Sequence, residues 1–85
     1  MKKVTLYTTP FCPYCVAAKR LLGQKGVGYE DIDLSREPGR RAEMMQRANG
    51  RRTVPQIFIG ERHVGGFDDM NAMERAGKLD GLLAV

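Results

Sequence analysis

The chain's two cysteines stand three residues apart, in Cys12-Pro13-Tyr14-Cys15. A structural disulfide closing so short a loop would remove little entropy from the unfolded chain, so the pair reads as chemistry rather than as a staple. This spacing suits a redox dithiol or half of a zinc site. A mononuclear zinc site wants four ligands, and beyond the cysteines the chain offers one distant histidine, His63. The dithiol reading is therefore preferred, no metal is expected, and His63 is assigned no role.

What such a pair can do depends on what lies beneath it. Pro13 suits the first position of a helix, where its missing N–H costs nothing, and this places Cys12 at the N-cap with Cys15 one turn along. Cys12 then lies over unpaired backbone N–H groups at the positive end of the helix, which favours its thiolate. Added thiolate speeds attack only modestly, because intrinsic nucleophilicity falls with pKa. The larger benefit is that a low-pKa sulfur leaves easily, so a mixed disulfide on Cys12 can be discharged by a second thiol.

The elements that must position this pair are legible on either side of it. Val4 to Thr8 is β-branched and aromatic and stops at Thr9-Pro10, which predicts a short buried strand. A helix runs from Pro13 through Leu22, with Gly23 and Gly26 where it should end. Tyr29 to Leu34 alternates apolar and acidic residues in the period of a strand. A second helix opens at Glu37-Pro38 and runs to about Ala48, with Asn49-Gly50 as its C-terminal cap. Gln56 to Ile59 and His63-Val64 form a hairpin about Gly60-Glu61-Arg62. Asp68 or Asp69 caps a last helix through Met70, Met73 and Ala76 that fades at Gly77. The expected architecture is α/β, a four-stranded mixed sheet in the order β-α-β-α-β-β-α flanked by helices. The five methionines are expected to fill core.

With 85 residues there is room for a single domain, 1–85. Hydrophobic residues at 42% and charged residues at 28%, without low-complexity tracts, exclude a disordered chain. Neither an export signal nor an apolar run long enough for a bilayer is visible, so a cytoplasmic protein with no membrane partner is expected. The net charge of +4 rests partly on Arg36, Arg40, Arg41, Arg47, Arg51 and Arg52, read as a solvated helix face. No aromatic residue interleaves with them, so no nucleic-acid partner is expected.

Three blocks, Cys12-Pro13-Tyr14-Cys15, Thr53-Val54-Pro55-Gln56-Ile57-Phe58-Ile59-Gly60 and Gly65-Gly66-Phe67-Asp68-Asp69, occur in an order that resembles a bacterial dithiol glutaredoxin over essentially the whole chain. The resemblance implies the thioredoxin fold, in agreement with the element order. It also implies a glutathione-dependent disulfide oxidoreductase with Cys12 as nucleophile and Cys15 as resolving thiol. In that family the bond before the proline of the second block is cis, which turns the Val54 backbone towards Cys12 to meet the cysteine part of glutathione. Thr53, Val54 and Pro55 would then line the site. The third block resembles the subsite for the γ-glutamyl group, with its carboxylate on the backbone N–H groups of Phe67 and Asp68 after Gly66, and its ammonium facing Asp68 or Asp69. Tyr14 would flank the sulfur. Many glutaredoxins carry a lysine where this chain has Thr9, and Arg52 or Arg51 is expected to supply the missing charge to the glycine end of glutathione.

Glutathione is thus the expected co-substrate, with no tightly bound cofactor. The expected partners are glutathionylated or disulfide-containing proteins, ribonucleotide reductase among the candidates, met by a monomer. Two alternatives from the same resemblance are a redoxin fed by thioredoxin reductase and an iron-sulfur carrier that uses Cys12 and glutathione. A non-catalytic adaptor of the same fold is a third. The second and third blocks argue against the first alternative, and Pro13 with the second cysteine against the iron-sulfur carrier.

Overall fold

The computed structural model describes residues 2–84. Its strands are β1 (Val4–Thr8), β2 (Glu30–Asp33), β3 (Gln56–Ile59) and β4 (Arg62–Gly65), in one sheet of order β2-β1-β3-β4. Its helices are α1 (Pro13–Gln24), α2 (Arg41–Arg47), α3 (Phe67–Arg75) and α4 (Leu79–Leu83). β1 pairs parallel with β2, as a helical crossover demands, and antiparallel with β3, which pairs antiparallel with β4. This is the mixed sheet and thioredoxin fold expected from the sequence.

The period of two along the central strands divides the core into two layers. Val4, Leu6, Ile57 and Ile59 pack with Ala18 and Leu22 of α1, Met70 of α3, and Leu79 and Leu83 of α4. On the other face Tyr7, Ile32 and Phe58 meet Met44 and Ala48 beneath α2. Met44 and Met70 are fully buried, whereas Met45 and Met73 pack only at the margins. Met1, the remaining methionine, lies outside the described residues. Among the described residues no helix is long and apolar enough to cross a membrane.

Local chemistry explains where the helices end. Behind α1 the Gly26 N–H reaches Gly23 O at 3.1 Å and the Val27 N–H reaches Leu22 O at 2.9 Å, the Schellman pattern, with Gly26 at φ +70°. Asn49 (φ 56°) takes the same left-handed position behind α2.

Several boundaries differ from the sequence reading. Pro38–Arg40 forms a 3-10 turn that leads into α2, so the helix expected from Pro38 begins as a tighter coil. Neither Asp68 nor Asp69 is the N-cap of α3; Gly66 takes that position in extended backbone, and Asp69 at the third helical position accepts the Gly66 N–H at 2.9 Å. The carboxylate thus caps from inside the helix, as an acidic residue at this position can. β4 starts at Arg62 and carries one extra residue, Val64, between the pairs Ile57–Gly65 and Phe58–His63. The sequence reading missed α4, a five-residue helix whose Leu79 and Leu83 are buried.

The arginines are not a uniformly solvated face. Arg40 pairs with Glu43 at 2.8 Å, and Arg47 lies 4.2 Å from the Phe58 ring centre while donating to the Tyr7 hydroxyl at 2.9 Å. Arg47, the last residue of α2, thus lays its guanidinium over the aromatic edge of the core.

Candidate active site

Cys12 is the N-cap of α1, at φ −100° and ψ 114°, with Pro13 in the first helical position. The cysteines are free, Cys12 half-buried and Cys15 buried. The Cys15 backbone N–H donates to Cys12 Sγ at 3.4 Å, so the helix end supplies the sulfur with an amide donor. Partial burial pushes the Cys12 thiol up, but the Cys15 N–H, the Cys15 side chain and the Tyr14 N–H hold it below the ordinary value. Cys15 behaves in the opposite way. Burial, with the neighbouring Cys12 charge and hydrogen bond, pushes it up to about 12 against a Thr9 hydrogen bond and Lys19. One thiol is therefore prepared as thiolate and the other is kept protonated.

The Val54–Pro55 bond is cis, and the Val54 carbonyl oxygen lies 3.7 Å from Cys12 Sγ. Val54 also walls a groove of about 250 Å³. Tyr14, Thr53 and Pro55 line it too, with Gly66, Phe67, Asp68 and Asp69 from the start of α3. Met70 is the first residue of that helix whose N–H finds a carbonyl, that of Gly66 at 3.1 Å, so the amides before it are left for a ligand or for Asp69. Gly65, at φ +116°, ends β4 against the groove residues Asp69 and Arg51, where a Cβ would collide with the Asp69 carboxylate.

Of the expected site residues, Arg52 alone is absent from this neighbourhood. Its backbone carbonyl accepts Arg41 Nη1 at 2.8 Å, and the charge in the groove comes instead from Arg51, whose Nη1 lies 3.3 Å from Asp69 Oδ2. The two arginines lie in a segment that is neither helix nor strand, and their contacts part them: Arg51 to Asp69 and the Arg52 carbonyl to Arg41. Thr9 does not line the groove. Phe11, 95% exposed, and Tyr14, 59% exposed, flank the thiol with apolar surface. Among the described residues no group of three His, Cys, Asp or Glu side chains is arranged to hold a metal ion.

A nucleophilic thiol beside a groove with both signs of charge can exchange disulfides with a small zwitterionic thiol. Comparison with known proteins gives this arrangement a context. The glutaredoxin family model matches residues 4–64. A glutaredoxin of Pseudomonas aeruginosa is 56% identical over 85 residues, all of both chains, and glutaredoxin 3 of Escherichia coli is 47% identical over 83 residues, 98% of this chain and 99% of that one. Among solved structures, a buckwheat glutaredoxin–glutathione complex superposes with a TM-score of 0.86 at 36% identity, covering 94% of this chain and 74% of that one. The solution structure of a Brucella melitensis glutaredoxin gives 0.83 at 57% identity over 98% and 89% of the two chains.

Proposed function

The chain belongs to the glutaredoxin family of thiol-disulfide oxidoreductases, and on that premise we propose that it reduces glutathionyl mixed disulfides with glutathione as electron donor. The observation that carries this reading is the unequal pair of thiols at one end of a charged groove: Cys12 held towards thiolate beside Val54, and Cys15 buried and protonated.

The Cys12 thiolate attacks the glutathionyl sulfur of a protein mixed disulfide. The S–S bond breaks, the protein sulfur leaves as thiolate and takes a proton, and Cys12 now carries glutathione. A second glutathione thiolate attacks the glutathione sulfur of that adduct, so glutathione disulfide departs and Cys12 returns as thiolate. Low Cys12 basicity speeds this last departure. Bound glutathione lies along Thr53–Pro55, with its γ-glutamyl carboxylate at the Phe67 and Asp68 amides, its ammonium at Asp68 and Asp69, and its glycine end towards Arg51.

For a protein disulfide, Cys12 first joins the substrate and Cys15 resolves the adduct. The Cys12 charge helps to raise Cys15. Forming the adduct removes that charge, so Cys15 becomes easier to deprotonate when its attack is needed. The setting is a monomer in the cytoplasm, where glutathione keeps thiols reduced.

The test is turnover of a glutathionylated peptide with glutathione, glutathione reductase and NADPH, using Cys15→Ser and Cys12→Ser. Cys15→Ser retains activity and Cys12→Ser has none. If wild type and Cys15→Ser were both inactive with glutathione, while wild type turned over with thioredoxin reductase, the glutathione reading would be wrong.

A further inference from the structure

His63 is the one imidazole in the chain, and the dithiol chemistry makes no use of it. It faces Phe58 across the hairpin, in register with it, and stacks on its ring at 5.0 Å and 28°. Its Nε2 lies 2.7 Å from Oε1 of Gln56. Gln56 is 0% exposed and has no access to water, yet its amide is satisfied: Nε2 donates to Thr53 O at 2.9 Å and to Thr53 Oγ1 at 3.2 Å. An amide oxygen only accepts, so the contact with His63 requires the proton on Nε2 of the imidazole. Burial and the nearby Arg51 charge lower the His63 pKa, against Asp69, which favours a neutral ring with that tautomer.

The orientation of Gln56 matters because of what shares its target's peptide plane. Thr53 O and the Val54 N–H belong to one trans peptide group, in which carbonyl and N–H point in opposite directions. Holding Thr53 O inward on Gln56 turns the Val54 N–H away from Gln56, on a residue that lines the groove and whose own carbonyl oxygen lies 3.7 Å from Cys12 Sγ. Among the described residues that N–H has no backbone or side-chain acceptor. If the Gln56 amide turned over, its oxygen would face Thr53 O, and two acceptors would repel. The His63 donor opposes this as well, because with its proton on Nε2 the turned amide would present it with N–H groups instead of an acceptor.

We infer that His63 is a positioning residue for the exchange reaction: through Gln56 it fixes the Thr53–Val54 peptide plane so that the Val54 N–H is presented to the backbone of the substrate's cysteine. The inference rests on the groove as the glutathione site.

Its test is a titration of ¹⁵N-labelled reduced protein with S-methylglutathione, which binds without exchanging, followed at the Val54 amide. His63→Phe keeps the stack on Phe58 and loses the donor; His63→Gln can restore an N–H near the Nε2 position. Loss of one such hydrogen-bonded link is expected to weaken binding about 3- to 10-fold in His63→Phe, with His63→Gln within about twofold of wild type. The Cys12 alkylation rate should stay within about twofold in both, because the helix end that prepares the thiolate is untouched. Should His63→Phe not fold, Gln56→Met, which removes the link and keeps the volume, takes its place with the same expected weakening. Wild-type affinity in the donor-free variant, equal weakening in His63→Gln, or a parallel change in Cys12 alkylation would each overturn the positioning role. No saturable shift in wild type would instead refute the groove as the glutathione site, and the inference with it.

Discussion

Removing the Cys12 sulfur should change the acidity of its neighbour by a readable amount. In the reduced protein Cys15 sits at about 12 against an ordinary 9.0, with burial the largest cause and the Cys12 hydrogen bond and charge smaller ones. Three pH units correspond to roughly 4 kcal/mol in favour of the neutral thiol. At pH 10 an ordinary thiol would be about 90% ionised and Cys15 only about 1%. In Cys12→Ser the charge is gone and the burial remains, so the Cys15 value should fall part of the way and stay above 9.0. The assay is a pH titration of protein labelled with ¹³C at the cysteine Cβ, whose shift reports thiolate at each site separately. The reasoning is refuted if Cys15 titrates near 9.0 in wild type, or if Cys12→Ser leaves it unmoved. Stability should follow the same proton. Above pH 9 the unfolded thiol ionises while the folded one stays neutral, so the Cys15 contribution declines as pH rises from 9 through about 12.

Three further outcomes are expected. Arg51→Ala should raise KM for a glutathionylated peptide several-fold and Arg52→Ala should not, while both melt close to wild type because an exposed ion pair contributes about 0–1 kcal/mol; steady-state kinetics and thermal melts decide. Asp69→Asn should destabilise by about 1 kcal/mol at pH 7 through the weakened cap on Gly66. The Gly66 N–H, opposed by burial and aided by Arg51, depresses the Asp69 carboxyl, so the difference should hold above about pH 3.8 and vanish as pH falls through the lower folded value, read by denaturant midpoints. Gly65→Ala should lower Tm by about 4–8 °C or more, since it combines a left-handed backbone with a collision at Asp69.

Much of this was written in local sequence. The β-branched and aromatic run Val4–Thr8, Pro13 after Cys12, and Asn49-Gly50 after α2 each act over a few residues, and the structure follows them. The features that escaped depend on distance or direction. Whether Arg51 or Arg52 enters the groove depends on the path of a segment outside helix and strand, where the sequence has no period to read. The Gln56–His63 link spans a hairpin with an extra residue in β4, so its register was not readable from strand periodicity. α4 is too short to show periodicity and exists because Leu79 and Leu83 complete a core made elsewhere.

The two layers on the sheet are unequal: among the described residues eleven buried ones belong to the layer of α1, α3 and α4 and six to that of α2. Cooperative opening costs less where less apolar surface is hidden, so the seven-residue α2 is the unit that should detach first, ahead of global unfolding. Phe58 lies in that thinner layer, with His63 stacked on it and Gln56 buried two residues before it on the same strand face. Excursions of α2 would therefore hydrate the support behind Thr53 while the thicker layer still anchors Cys12 and the start of α3. Amide exchange should rank the protein into a slow half that holds the nucleophile and a faster half that steadies one wall of the groove.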